Sequence, residues 1–165
     1  MGAAGYEHLL VLVLDVGGDA YAVDARRVQE IVRAVLPTRL PSAPRVITGV
    51  INVRGEVVPL FDLRARFGAT SAPVSRSEVF VILQPLRAGL RRIALRADAV
   101  RELRRLAEAS LVPMAETAPR ASYALGTLRL PDGLLLLCDV EAFLDDAEQR
   151  TLARAMDEHT QGALP

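Results

Sequence analysis

The chain contains no lysine and no tryptophan, one cysteine and two histidines, and aromatic residues fill only 4% of its 165 positions. Each scarcity removes a class of function. With Cys138 as the single cysteine no intramolecular disulfide can form, which fits a reducing compartment. It directly follows the apolar run Leu134 to Leu137, as a buried packing residue would. His8 and His159 stand near the two ends, where a histidine is poorly placed to be held beside a nucleophile and an orienting carboxylate. The apolar run Leu9 to Leu14 is too short for a membrane span or a signal-peptide core, and the start Met1-Gly-Ala-Ala-Gly-Tyr-Glu-His lacks a basic n-region. A cytoplasmic protein without direct membrane insertion is expected.

All twenty basic residues are arginine, and twenty acidic residues balance them. Nucleic-acid binders show a basic excess with interleaved aromatics, so nucleic acid is not expected as a partner. The balance is uneven along the chain: residues 76–129 hold ten arginines against five acids, and residues 130–165 hold two against eight. A chain of this length fits one domain or two small subdomains, and can bury roughly two-thirds of the surface that its unfolded form exposes.

The most informative stretch runs from Gly49 to Phe67. Val50, Ile51 and Val53 form one β-type run and Val57, Val58, Leu60 and Phe61 a second, with Arg54-Gly55 between them to supply positive φ. Alternation along a strand puts Asn52 and Arg54 on one face beside a turn, where they can point at a partner. Asp62 caps a short helix, Leu63 to Phe67, that Gly68 ends. A lone arginine among apolar strands serves either as a structural donor to neighbouring carbonyls or as an interface anchor, and both readings stay open.

Leu9 to Val16, Gly17-Gly18-Asp19 and Tyr21-Ala22-Val23 read as strand, tight turn and strand. Asp24 followed by Val28, Ile31, Val32 and Val35 has the spacing of a helix of two or three turns. Thr38 to Pro44 is an extended, proline-punctuated connection. Val79 to Leu83, Ile93 to Leu95 and Val100 to Leu106 are taken as strands, and residues 118–122 as a loop. Asp132-Gly133 between apolar runs is a strong hairpin signal, which makes Gly55, Asp132 and Gly133 turn residues. Asp145-Asp146 opens a helix carrying Leu152, Ala155 and Met156 on one side. Phe61-Asp62-Leu63 recurs as Cys138-Asp139-Val140, which suggests two similar β subdomains, and many short strands with turn signals favour closure into barrels. No catalytic, phosphate-binding or calcium-loop pattern is present, so neither an enzyme nor a cofactor is expected. Arg91, Arg92, Arg101, Arg104 and Arg105 form either a patch for an acidic partner or an ordinary solvated face.

The sequence from Gly49 to Arg64, Gly-Val-Ile-Asn-Val-Arg-Gly-Glu-Val-Val-Pro-Leu-Phe-Asp-Leu-Arg, resembles the signature of CheW-like domains. The likeness extends through Tyr21-Ala-Val-Asp with Val28-Gln-Glu-Ile, Ile93-Ala-Leu-Arg-Ala-Asp-Ala-Val and Leu134 to Leu144, and so covers roughly residues 9–152. Ala94, where the family favours glycine, and Arg96 with Arg101 to Arg105 depart from the pattern. The resemblance implies a mainly β fold of two small SH3-like five-stranded β-barrel subdomains side by side, about 9–68 with a C-terminal return and about 76–140. Short helices and a C-terminal helix over 145–160 complete it.

The resemblance also implies a non-catalytic adaptor that joins the cytoplasmic tip of methyl-accepting chemoreceptors to the regulatory domain of a CheA-type histidine kinase, recruited to membrane receptor arrays. By position, Val28, Glu30, Gly49, Asn52 and Arg54 would flank the receptor groove, and Pro37 would face the kinase. The same scaffold could serve gliding, pili or development instead of chemotaxis. Two further alternatives are a detached regulatory piece of a kinase, disfavoured by the lack of an ATP-binding segment, and a small ligand-binding β-barrel.

Overall fold

A computed structural model describes residues 8–84, 91–107, 110–113 and 123–162. The loop expected at 118–122 lies outside them. Eleven strands run as β1 (His8–Val16), β2 (Asp19–Asp24), β3 (Val28–Arg33), β4 (Ile47–Val53), β5 (Glu56–Phe61), β6 (Val79–Leu83), β7 (Ile93–Ala97), β8 (Ala99–Ala107), β9 (Leu111–Pro113), β10 (Ala124–Leu130) and β11 (Gly133–Cys138). Helix α1 (Leu63–Arg66) follows β5, and α2 (Asp146–Gly162) ends the fold.

The strands form two mixed sheets. Sheet A has the order β8-β1-β2-β11-β10-β9 and sheet B the order β3-β6-β7-β5-β4. Each is antiparallel except at one ladder, β2 with β11 and β5 with β7. Both sheets draw strands from both halves of the chain: β1 and β2 join β8 to β11, while β6 and β7 join β3 to β5. The ladders leave both sheets open, with edge strands β8 and β9 in one and β3 and β4 in the other, so the expected barrel closure is absent among the described residues.

Three apolar cores explain why the strands read as continuous hydrophobic runs. Along β1, Val11 and Val13 enter the sheet A core while Leu12, Leu14 and Val16 enter a central core. Along β6, Phe80 and Ile82 fill the sheet B core while Val81 and Leu83 face the central one. A strand buried on both faces needs no polar alternation. The C-terminal helix lays Leu152 and Ala155 on the central core, beside Phe143 and Leu144.

The internal repeat is real at the level of local geometry. The β4–β5 ladder, from Ile47↔Phe61 to Val53↔Glu56, has its counterpart in β10–β11, from Ala124↔Cys138 to Leu130↔Gly133, each with a register shift near its start. Asp62 and Asp139 follow the two ladders, and each carboxylate accepts the N–H two residues on, at 3.0 Å. A Cβ at Gly49 would lie 2.4 Å from the Thr38 carbonyl oxygen, and one at Gly126 would lie 2.4 Å from that of Val112. Both glycines therefore let a neighbouring backbone approach too closely for any side chain.

One local expectation fails. The residues after Asp24 make a single 3₁₀ turn, Ala25–Arg27, and then strand β3. In that strand Val28, Glu30 and Val32 are half-buried while Gln29, Ile31 and Arg33 are exposed, a period of two. The apparent helical spacing arose by counting Ile31 and Val35, both exposed, as core residues.

Candidate interaction site at the β4–β5 turn

The β4–β5 hairpin turns at Arg54 and Gly55, and both residues have positive φ, 53° and 86°. That pair of signs is the pattern of a type I′ turn, whose twist matches the flanking strands. Glycine adopts it freely. Arginine does not, and a non-glycine residue in this region costs on the order of 1–3 kcal/mol. Asn52 secures the turn, its Oδ1 accepting the Gly55 N–H at 2.8 Å.

The Arg54 side chain is 80% exposed, and its Nη2 donates to Glu30 Oε2 at 3.1 Å. Glu30 lies on β3 and Arg54 at the end of β4, so the pair spans the seam between the two edge strands of sheet B. A depression of about 180 Å³ follows that seam, lined by Glu30, Val32 and Arg33 from one edge and Ile51, Asn52 and Val53 from the other. With one donor engaged, the guanidinium keeps further N–H groups for a partner carboxylate or carbonyl. The structure thus joins Glu30, Asn52 and Arg54 in one place.

Val28 and Gly49 stand apart from that trio. Val28 packs against the central core, and Gly49 is a close-approach position beside Pro37, whose Cβ would lie 3.3 Å from a Cβ placed on Gly49. Pro37 and Gly49, expected on different surfaces, are neighbours. At the second hairpin the turn residues are Pro131 and Asp132, with Gly133 the first residue of β11.

Three of the five arginines in the cluster pair with carboxylates. Arg92 meets Glu56 at 3.3 Å, Arg101 bonds Asp15, and Arg104 bridges Glu102 at 2.6 Å and Asp132 at 3.7 Å. A solvated, largely neutralised face is the better description of it.

Arg96, expected as surplus charge, is fully buried. It donates to both Glu78 oxygens at 3.0 and 2.9 Å and to Asp62 Oδ2 at 3.1 Å. Ser71 also bonds Asp62, and Arg64 approaches Asp62 at 3.2 Å and Asp98 at 3.9 Å. Asp98 in turn accepts the Gly17 N–H at 2.7 Å at the β1–β2 turn, so the network runs from the ends of β5 and β7 to the other sheet. Burial pushes the Glu78 carboxyl up, but hydrogen bonds from Arg96 and the Ser75 N–H and the charges of Arg96 and Arg64 outweigh it, and the group lies below its ordinary value. Burial, aided by the charge of Asp139, pushes the Cys138 thiol up to about 12, which leaves it unreactive.

The sequence model of the CheW-like domain matches residues 10–148. The chain belongs to the CheW-like domain family. Among curated relatives, it is 29% identical over 150 residues to the chemotaxis protein CheW of Klebsiella aerogenes, covering 90% of this chain and 89% of that protein. It is 32% identical over 143 residues to protein FrzA of Myxococcus xanthus, covering 84% and 87%. The crystal structure of the scaffolding protein TtCheW from Thermoanaerobacter tengcongensis matches with a TM-score of 0.75 at 26% identity, covering 86% of this chain and 96% of that one. CheW-like membership fits an assembly built on interaction surfaces, and no helix among the described residues is long and apolar enough to cross a membrane.

Proposed function

We propose that this CheW-like chain is a non-catalytic chemotaxis adaptor that couples the cytoplasmic tip of a chemoreceptor to the regulatory domain of a CheA-type histidine kinase. Its receptor-facing groove is formed by Glu30, Asn52 and Arg54, with Val28 and Gly49 shaping the structure behind it, and Pro37, beside Gly49, begins the kinase-facing side. The observation that carries the assignment of the groove is Arg54: an exposed arginine kept in a backbone conformation that favours glycine, and oriented by Glu30 across the sheet B seam. Strain retained at an exposed tip points to recognition, because the fold itself gains little from it. Arginine is also among the residues enriched at interface hot spots.

The proposal is tested by measuring binding of the purified protein to the regulatory domain of the co-encoded kinase and, separately, to a receptor-tip fragment. Arg54→Ala should weaken receptor binding by roughly tenfold or more and leave kinase binding and the circular dichroism spectrum unchanged. Equal loss of both partners, or of neither, would remove Arg54 from the receptor groove. A second reading, the same scaffold in a pathway other than chemotaxis, is favoured by the similarity to protein FrzA over most of both chains. Binding to a kinase and receptor encoded outside a chemotaxis operon, with no binding to the chemotaxis pair, would select it.

A further inference from the structure

The seam at Arg54 does not end at the hairpin. Through Arg33 and Val35 it continues into a larger hollow of about 540 Å³, bounded on the far side by Leu36, Val74 and Arg76. Its floor is firm, since Ala34 and Val74 pack onto the sheet B core. Val35 and Leu36 stand above it, 52% and 89% exposed. Two large apolar side chains in sequence, held out of a core by the start of the proline-punctuated connection, contribute little to folding where they are.

The charges around the hollow set the chemistry of what fits it. Arg92, Arg101 and Arg104 each meet a carboxylate, whereas neither Arg33 nor Arg76 has one within ion-pair distance among the described residues. The complement of an apolar floor flanked by guanidinium groups that meet no carboxylate among the described residues is an apolar stripe flanked by carboxylates. Strand addition at the β3 edge is disfavoured, because a register shift between Val28 and Glu30 breaks one end and Pro37 follows the other. Helix α2 of a second copy is acidic, but its Leu152 and Ala155 are already committed to its own core. It has no apolar stripe to offer. A hollow of this size accepts one or two large side chains, the anchors a helix presents one turn apart.

We infer that the hollow between β3 and residues 74–76 docks an acidic amphipathic helix of a partner protein, with its apolar anchors on Val35 and Leu36 and its carboxylates on Arg33 and Arg76. The inference stands apart from the adaptor reading, since it does not depend on which partner Arg54 meets.

The test uses the full chain, isotope-labelled, and a stapled helix that presents two leucines one turn apart between glutamates. A second helix carries arginine in place of glutamate. The glutamate helix should bind with an affinity on the order of micromolar and shift the amide signals of residues 33–36 and 74–76. Leu36→Asp should abolish binding, and Arg33→Glu with Arg76→Glu should weaken it roughly fivefold or more. All three side chains are exposed, so the fold is expected to persist, and unchanged amide dispersion checks it. Absence of binding by the glutamate helix, equal binding of the arginine helix, or binding indifferent to these variants would overturn the inference.

Discussion

The two hairpin tips occupy corresponding places in the two sheets and differ in how their charges are spent. At the β10–β11 turn, Asp132 is 74% exposed and faces Arg104, which also holds Glu102. The carboxylate sits in a turn led by proline, with nothing strained in the residue that bears the charge. At the β4–β5 turn the charged residue is itself in the glycine-favouring region, and it leans across the seam onto Glu30. The same ladder geometry therefore supports a relaxed tip and a strained one. The hairpin geometry by itself does not call for a charged residue in the glycine-favouring region.

The sheets differ below the surface as well. At one end of sheet B lies a buried network centred on Arg96, whereas Asp24, at the end of β2 in sheet A, is partly exposed and paired with Arg26 at 2.6 Å. The largest expected effect breaks this contrast. Arg96→Ala removes the fully buried cation from Glu78 and Asp62, leaves only Arg64 beside them, and should cost about 3–5 kcal/mol, read from urea denaturation. Asp24→Ala loses a cap and an exposed pair, and should cost about 1 kcal/mol. Equal costs would mean that burial of the network contributes nothing special.

Next in size are the two close-approach glycines. Gly49→Ala and Gly126→Ala each force a methyl against a backbone oxygen and should cost about 1–3 kcal/mol, with similar values at the two sites because the local geometry repeats. A large cost at one and none at the other would break the equivalence of the halves.

A smaller effect is expected with pH. Glu78 is held below its ordinary value of 4.5, so its contribution is fully present above that pH and lost as pH falls through the lowered value. Asp24 is shifted in the same direction: its burial opposes, but the hydrogen bonds and charge of Arg26 prevail. Stability should therefore decline on acidification below 4.5. Glu78→Gln should flatten that decline more than Asp24→Asn, because Glu78 is the more enclosed of the two. The reverse order, in denaturation midpoints compared across pH, would contradict the assignment.

Much of this architecture could be read from residue order. The β4–β5 hairpin, the Asp62 and Asp139 caps and the C-terminal helix follow from local chemistry: positive-φ turn residues, carboxylates before helical turns, and apolar spacing. Strand β3 could not, because Ile31 and Val35 are exposed apolar residues and mimic a helical stripe. The burial of Arg96 was not legible because a charge between Leu95 and Ala97 looks like an outward position, and its partners Asp62 and Glu78 lie far away in sequence. The exchange of β1–β2 and β6–β7 between sheets was hidden for the same reason. Local pattern carries no information about which distant strand will pair. Of the candidate site, the turn at Arg54-Gly55 was legible, whereas Arg54 lies in the turn itself and not on the strand face expected for it, and Glu30 was indicated only through the family resemblance.

The proposed role of Arg54 in recognition comes at the expense of the turn. Its most direct test is Arg54→Asn, which creates the Asn-Gly sequence that type I′ turns favour. Denaturation midpoint and receptor-fragment affinity would be measured on the same preparation. A midpoint unchanged or raised, by up to about 1 kcal/mol, is expected together with an affinity loss of roughly tenfold or more. A lowered midpoint with affinity intact would show that Arg54 serves the fold through Glu30, and would contradict the claim.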